Sequence, residues 1–261
     1  MVKNLVALLT RFIPRTLLQR VAHLGLQSIS WLYSGSTLED PIDGRLYRKM
    51  LPYGRVRPRP NALAPHSLSL ERHRALWIYF KEFSDFFEKP ARMLHMAPEY
   101  CFIKRFRALS NLDYVTGDLD SPWADHHFDV HCIPFEDASF DFVMANHLME
   151  HVDNDRTVLK EFYRVLKPGG WGILQVPIDW TNPNTEEDRS ITDPSELERL
   201  YWQRDHLRLY GYEDYPSRLK QAGFSVEVVD MQALLGIDRY KRYCLVGEWW
   251  VFEVRQYKVY E

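Results

Sequence analysis

Between Arg92 and Pro177 short apolar runs alternate with helix-like segments, and this alternation constrains the fold more than any other feature of the 261-residue chain. Arg92-Met93-Leu94-His95-Met96 is a strand-length run that breaks at Ala97-Pro98-Glu99 and leads into a helix-like segment from Tyr100 to Leu109. A second run, Leu112 to Thr116, is followed by Gly117-Asp118, and a shorter one, Phe128 to Cys132, carries Asp129. Phe140 to Asn146 is apolar enough to be a buried parallel strand. Val158, Leu159, Phe162, Val165 and Leu166 predict one face of a helix over about 153–166, stopped at Lys167-Pro168-Gly169-Gly170. The strand Trp171 to Val176 follows and ends at Pro177.

Strands separated by helices predict an open parallel α/β sheet, in which ligands bind outside the carboxyl ends of the strands. Asp118, Asp129, Asn146 and the loop at Ala97 all fall at such ends. Two carboxylates there offer acceptors to a ligand that brings hydroxyl or amino donors. The competing reading is that each carboxylate caps the turn or helix after it.

At these residues the chain resembles the class I S-adenosylmethionine-dependent methyltransferases, over roughly Lys89 to the C-terminus. The resemblance is carried by Asp129, by Ile133-Pro134-Phe135 and Phe140-Asp141, by Glu150-His151, and by the Leu166-Lys167-Pro168-Gly169-Gly170 turn. It implies a Rossmann-like sheet, mostly parallel with an antiparallel last strand, helices on both faces and an N-terminal helical extension. It also implies S-adenosyl-L-methionine as cofactor. Asp118, with Leu119, would hold the ribose hydroxyls, and Asp129, with Val130, the adenine amino group, while Asn146 would lie beside them.

The first loop departs from that family. His95 stands where an acid is usual, and Ala97, Pro98 and Glu99 replace a Gly-rich turn. Ala97 still permits close backbone approach, Pro98 removes an amide donor, and Glu99 could offer the cofactor's amino group a carboxylate. His95 is either a buried, backbone-bonded histidine or a cofactor-lining one. Leu94-His95-Met96-Ala97-Pro98-Glu99 resembles the signature of a narrower methyltransferase subgroup, as do Ser69-Leu70-Glu71-Arg72-His73-Arg74 and Asp205-His206-Leu207-Arg208-Leu209-Tyr210-Gly211. In that subgroup a cysteine-rich zinc knuckle usually precedes the upstream mark. Here Ala64-Pro65-His66-Ser67 stands in its place, and one histidine does not make a tetrahedral site, so no metal is expected.

The chain divides on this reading into a basic N-terminal segment (1–38), a linker with a degenerate knuckle and a helix (39–88), and the methyltransferase-like domain (89–261) with a lid insertion at about 179–213. Residues 1–38 lack Asp and Glu, and Lys3, Arg11, Arg15 and Arg20 interrupt apolar positions as in an amphipathic helix broken at Pro14. Such a segment suits peripheral membrane contact through residues 1–35, with docking on the domain or mitochondrial targeting as alternatives. It is too short of apolar residues to span a bilayer. Thr37 to Pro65 reads as an extended Pro-, Gly- and Arg-rich linker or the remnant of the knuckle, and Leu68 to Phe87 as a helix whose Glu71, Arg72 and Arg74 form either a local ion-pair set or part of a lid. Helices are expected from Pro194 to about Gln203 and from Tyr215 to Gln221, with closing strands Phe224 to Met231 and Trp249 to Gln256.

Three scattered cysteines, Cys101, Cys132 and Cys244, argue for a reducing compartment, and the expected location is cytoplasmic. A hydrophobic content of 46% can build a substantial core, and a formal net charge of -3 without a broad basic surface argues against nucleic acid. The expected reaction moves a methyl group to a hydroxyl or amine of a small-molecule or glycan-type acceptor. The alternative is an inactive methyltransferase-fold scaffold; a nucleotide-dependent oxidoreductase would need a Gly-x-Gly-x-x-Gly turn that the chain lacks. The general base is sought among histidines: His206 first, then His151, then His147, with the alternative that His206 or His151 simply holds the lid by hydrogen bonding. Metal at His147 and His151 is discounted for want of a third ligand. Asp179, at the mouth of the insertion, and Arg208 and Tyr210 are expected to bind substrate. His206, Arg208 and Tyr210 alternate, so an extended segment would turn all three to one face.

Overall fold

The computed structural model describes residues 23–54, 58–245 and 250–257, so most of the N-terminal basic segment lies outside the described residues. No helix among the described residues is long and apolar enough to cross a membrane. The chain forms two units. One gathers the residues up to Ile78 with a segment that begins at Leu235, and the other runs Tyr79–Leu234 and takes in the strand at Trp250–Arg255.

In the first unit the stretch expected as an extended linker folds instead into two antiparallel hairpins. One pairs β1 (Ser34–Asp40) with β2 (Arg45–Tyr47), and the other pairs β3 (Leu51–Tyr53) with β4 (Arg59–Leu63). Gly44, at φ +72°, supplies the left-handed residue that the first turn needs. The hairpins hold because buried polar groups satisfy one another. The Asp40 carboxylate accepts from the Ile42 amide at 3.0 Å, from Ser69 Oγ at 3.2 Å and from the Ser67 hydroxyl. Arg74, fully buried, donates to the carbonyls of Ala62, Ser69, Tyr243 and Cys244 at 2.7–3.0 Å. Arg59 forks onto Glu71 at 2.8 and 3.2 Å. Of the two readings of Glu71, Arg72 and Arg74, the local polar set therefore describes Glu71 and Arg74. His66 pairs with Asp43 at 2.7 Å. The helix that follows is Glu71–Glu82, shorter than Leu68 to Phe87, because Leu68 turns at φ +63°.

The second unit is built on a seven-stranded sheet. Its strands are β5 (Ala91–Met96), β6 (Leu112–Asp118), β7 (His126–His127), β8 (Phe140–Asn146), β9 (Leu166–Gln175), β12 (Ser225–Asp230) and β13 (Trp250–Arg255). Two further strands, β10 (Ile178–Asp179) and β11 (Tyr210–Gly211), pair in parallel outside it. The order across the sheet is β12-β13-β9-β8-β5-β6-β7, and β13 is antiparallel to both of its neighbours. This is the Rossmann-like sheet with an antiparallel last strand.

Alternation along β8 assigns its two faces. Val143 and Ala145 pack in the cluster that holds Val158, Leu159, Phe162 and Val165 of the helix Asp155–Val165. Asn154 caps that helix by accepting from the Thr157 amide at 3.1 Å. Phe142 turns to the opposite face and meets Phe86 at 5.3 Å and Trp171 at 4.3 Å between ring centroids. Phe102 and Phe106 of the helix Tyr100–Arg107 extend the same aromatic layer. Removing one such buried ring costs about 3–5 kcal/mol.

Two local expectations need correcting. Phe128 to Cys132 is a turn, and the strand beside it is only His126–His127; Asp129 thus sits in a loop stabilised by its own hydrogen bonds. Lys167-Pro168-Gly169-Gly170 is a bulge inside β9, not a turn before it, since Leu166 pairs with Phe140 and Trp171 with Phe142. Gly169 takes φ +78°, and a Cβ on Gly170 would lie 2.9 Å from the Lys167 carbonyl.

Candidate active site

β8, β5 and β6 lie side by side and end together at Asn146, Met96 and Asp118. The loop after β5 turns without glycine. Ala97 adopts φ +49° and its amide donates to the Gly117 carbonyl at 2.9 Å, a conformation that costs an alanine about 1–2 kcal/mol. Gly117 must be glycine for a different reason: a Cβ there would stand 2.5 Å from the Phe128 ring and 2.8 Å from the Met96 sulfur.

Glu99 carries the acid of this loop. Its Oε2 lies 2.6 Å from His95 Nε2, and its Oε1 accepts from Asn146 Nδ2 at 2.7 Å. His95 Nδ1 meets the Tyr114 hydroxyl at 2.8 Å. Burial and the nearby Glu99 keep Tyr114 protonated far above the ordinary range. The Glu99 carboxylate only accepts, so His95 donates at Nε2, which in the neutral ring leaves Nδ1 to accept from the Tyr114 hydroxyl. His95 is fully buried, bonded to the Tyr114 and Glu99 side chains, and supports the loop from below, as in the first of its two readings. Tyr114, which sequence reasoning missed, has no signal beyond its place two residues before Thr116 on a predicted strand.

Asp118, the last residue of β6, accepts at Oδ1 from the amides of Asp120 at 2.9 Å and Ser121 at 2.7 Å. Its capping role is thus real, and Oδ2 stands outside that turn. Leu119 beside it is 65% exposed. Asp129 Oδ1 accepts from the backbone amide of His131 at 2.9 Å and faces His131 Nδ1 at 2.6 Å, which hold its carboxyl below the usual range. Val130 is buried in the core, so its side chain packs and does not present itself to a ligand. Tyr100 and Trp123 meet edge to face at 5.6 Å, an aromatic pair by the helix that opens after Glu99.

After β8 the chain turns, and the segment Asp205 to Gly211 docks onto that turn. Leu207 N donates to the Glu150 carbonyl at 2.8 Å, and His151 Nδ1 lies 3.1 Å from the Asp205 carbonyl. Arg208 is 1% exposed and donates to the carbonyls of Met149, Val152 and Asp153 at 2.7–3.0 Å and to Glu187 at 2.9 Å. The Tyr210 hydroxyl stands 3.1 Å from the Met149 carbonyl and 2.9 Å from Asp155. His206, Arg208 and Tyr210 are all buried, and the hydrogen bonds of Arg208 and Tyr210 run to other groups of the chain. In this arrangement both side chains clamp the segment to the turn after β8. Asp179 is also occupied locally, accepting at Oδ1 from Thr181 N at 2.9 Å and Thr181 Oγ1 at 2.6 Å.

The same docking collects titratable groups. His206 is 1% exposed, with Nδ1 2.7 Å from the Tyr201 carbonyl and Nε2 3.9 Å from Glu150. Its ring meets that of His151 at 4.7 Å and 82°. His147, at φ +52°, has Nδ1 3.1 Å from Glu150. Burial would push the Glu150 carboxyl up, but His147, His151 and His206 together hold it below its usual range. Burial likewise pulls His206 down, against Glu150. Glu150 was not foreseen as a site residue although it adjoins His151; its signal was the Glu-His pair itself.

Residues 87–174 match the family model described as Methyltransferase domain. A sterol 24-C-methyltransferase from Clavispora lusitaniae is 30% identical over 151 residues, which is 57% of this chain and 36% of that protein. The chain therefore spans about a third of that relative's length. Among solved structures, the cyclase SpnF superposes with a TM-score of 0.51 at 14% identity, covering 92% of this chain and 95% of that one. A structure from Galdieria sulphuraria, assigned as a sarcosine dimethylglycine methyltransferase, also gives 0.51 at 14% identity, covering 81% and 93%. At such identities the two structures speak to the fold alone.

Proposed function

We propose that the chain is an S-adenosylmethionine-dependent methyltransferase acting on a hydroxyl or amine of a small-molecule or glycan-type acceptor. It would belong to the subgroup in which Leu94-His95-Met96-Ala97-Pro98-Glu99 replaces the Gly-rich loop. The observation that carries this reading is the Glu99 carboxylate, tied by His95 and Asn146 at the joint mouth of β5 and β8, one strand away from Asp118. The match of residues 87–174 to a methyltransferase domain supports it.

Each residue then has a physical task. Asp118 accepts from the ribose hydroxyls with the oxygen outside its turn, and Asp129 accepts from the adenine amino group. Methyl transfer from a sulfonium is an in-line displacement, so the protein mainly aligns donor and acceptor and keeps water out. An oxygen or nitrogen acceptor must also lose a proton, which the Glu150, His151 and His206 group would take. His151, with 31% of its side chain exposed, is the member open to an incoming acceptor. The sterol relative favours a second reading, in which the acceptor is a carbon atom. A cytoplasmic setting with membrane contact through residues 1–35 completes the proposal, supported by the basic, acid-free character of that segment.

The test is calorimetric titration with S-adenosylmethionine and S-adenosylhomocysteine, followed by transfer of a labelled methyl group to panels of hydroxyl, amine and carbon acceptors. Saturable binding of both compounds is expected. Absence of binding to either would overturn the reading, and label on carbon alone would select the second.

A further inference from the structure

We infer that Glu150, His151 and His206 form a binding site for a first-row divalent transition ion of the zinc class. Each offers a ligand atom, and these atoms all lie within 4.8 Å of one another. The sequence reading rejected metal for lack of a third ligand beside His147 and His151, and the docked segment supplies that ligand from a position 55 residues further on.

The surroundings of these three groups make this more than a coincidence of residue types. The two histidines have the same tautomer set by backbone carbonyls. Nδ1 of His206 must donate to the Tyr201 carbonyl and Nδ1 of His151 to the Asp205 carbonyl, because a carbonyl only accepts. The lone pair of each neutral ring is thereby on Nε2, as in imidazoles that bind metal while the other nitrogen is anchored. Glu150 is fully buried, and among the described residues neither of its oxygens makes a well-formed hydrogen bond, nor does His206 Nε2. His147 Nδ1, 3.1 Å from Glu150 Oε1, is the nearest partner of that carboxylate. A buried carboxylate so placed is costly unless a positive charge compensates it.

The donor set selects the ion. Two imidazoles and one carboxylate suit zinc, iron, cobalt or nickel, whereas magnesium and calcium prefer oxygen throughout. Ligand atoms around tetrahedral zinc stand roughly 3.4 Å apart, given bonds of about 2.1 Å. Glu150 and His206, at 3.9 Å, would close by about 0.5 Å, and the widest pair, within 4.8 Å, by up to about 1.4 Å. Three protein ligands leave a position open, as in catalytic sites that bind a water or substrate oxygen. The inference stands whether or not the chain transfers methyl groups; with an ion bound, the three side chains would be its ligands and would not serve as the base.

The full chain, stripped with a chelator and desalted, is titrated with zinc against a chromophoric competitor and with cobalt(II) by visible absorption. One equivalent is expected to bind, with the visible bands of a four- or five-coordinate cobalt ion. Glu150→Gln and His206→Ala are expected to weaken binding by about 100-fold or more. Because both positions are buried, His151→Ala, at a part-exposed side chain, serves as the variant that keeps its fold, checked by circular dichroism. The double variant His126→Ala, His127→Ala removes two exposed surface histidines and should bind normally. No binding by the wild type, undiminished binding in His151→Ala, or loss of binding in the surface double variant would each overturn the site.

Discussion

His95 Nε2 and Glu99 Oε2 stand 2.6 Å apart, so the acid missing from the end of β5 is returned to it from four residues further along the chain. The histidine holds the carboxylate and Tyr114 holds the histidine, while Asn146 fixes the second oxygen from β8. Three strands and the helix Tyr100–Arg107 are thereby tied at one carboxylate. Pro98 and the left-handed Ala97 set the short path between them.

Removing Glu99 should leave His95 Nε2 and Asn146 Nδ2 without this acceptor. Glu99→Ala is expected to lower stability by about 2–3 kcal/mol and to weaken S-adenosylmethionine binding roughly tenfold. Glu99→Gln, which keeps an acceptor for Asn146, should retain most of the stability. Thermal denaturation and calorimetry on the two variants check this, and equal melting points for wild type and Glu99→Ala would sink the account.

Asp118 combines a turn cap with a proposed ribose contact, and two substitutions separate them. Asp118→Asn keeps an oxygen for the amides of Asp120 and Ser121 and should melt within about 1 kcal/mol of wild type. Its cofactor affinity should fall by about tenfold, because a charge-assisted hydrogen bond becomes a neutral one. Asp118→Ala loses both functions. Affinity unchanged in Asp118→Asn and Asp118→Ala alike would assign the residue to the turn alone.

The sheet was legible because its strands are continuous apolar runs whose ends coincide with polar punctuation, so β8 emerged with the bounds Phe140 to Asn146. The periodicity of Val158, Leu159, Phe162 and Val165 likewise reported the buried face of its helix. What local pattern does not carry is the partner of a polar group. The alternation of His206, Arg208 and Tyr210 says nothing of their partners, and those of Arg208 are carbonyls of Met149, Val152 and Asp153 more than 50 residues earlier. The Pro- and Arg-rich stretch read as a linker for the same reason: the groups that fold it, Asp40, Ser67, Ser69 and Arg74, bond across up to 170 residues. The two readings of His95 stayed open in the sequence because Tyr114 and Glu99 could not be seen closing around it.

Arg208 spreads its guanidinium over three carbonyls and a carboxylate, a geometry that a point charge does not reproduce. Arg208→Lys should therefore behave much like Arg208→Ala, each costing about 3 kcal/mol or more, because buried carbonyls lose their donors. Hydrogen exchange should quicken selectively in the 149–155 and 205–211 segments. Near-wild-type protection in Arg208→Lys would mean that a single ammonium suffices to dock the insertion.

Asp155 gives the second unit an acid-sensitive joint. Burial opposes its ionisation, but hydrogen bonds and charge from Arg218, with Arg208 and Tyr210 beside it, hold its carboxyl below the usual range. Glu187, paired with Arg208 and Arg218, is depressed in the same way, again against burial. A carboxylate with a depressed folded pKa contributes stability that is complete above its unfolded value, about 3.9 for Asp, and is lost as pH falls through the folded one. Wild-type stability should thus hold through neutral pH and drop below about pH 4. Asp155→Asn leaves Arg218 facing an amide, so it should be less stable than wild type at pH 7 by roughly 2 kcal/mol. That gap should narrow as the pH approaches 3, because the wild type then loses the same charge. Urea denaturation at pH 7, 5, 4 and 3 measures the gap directly, and a difference that is constant across the series would show that the Asp155 charge contributes nothing to the joint.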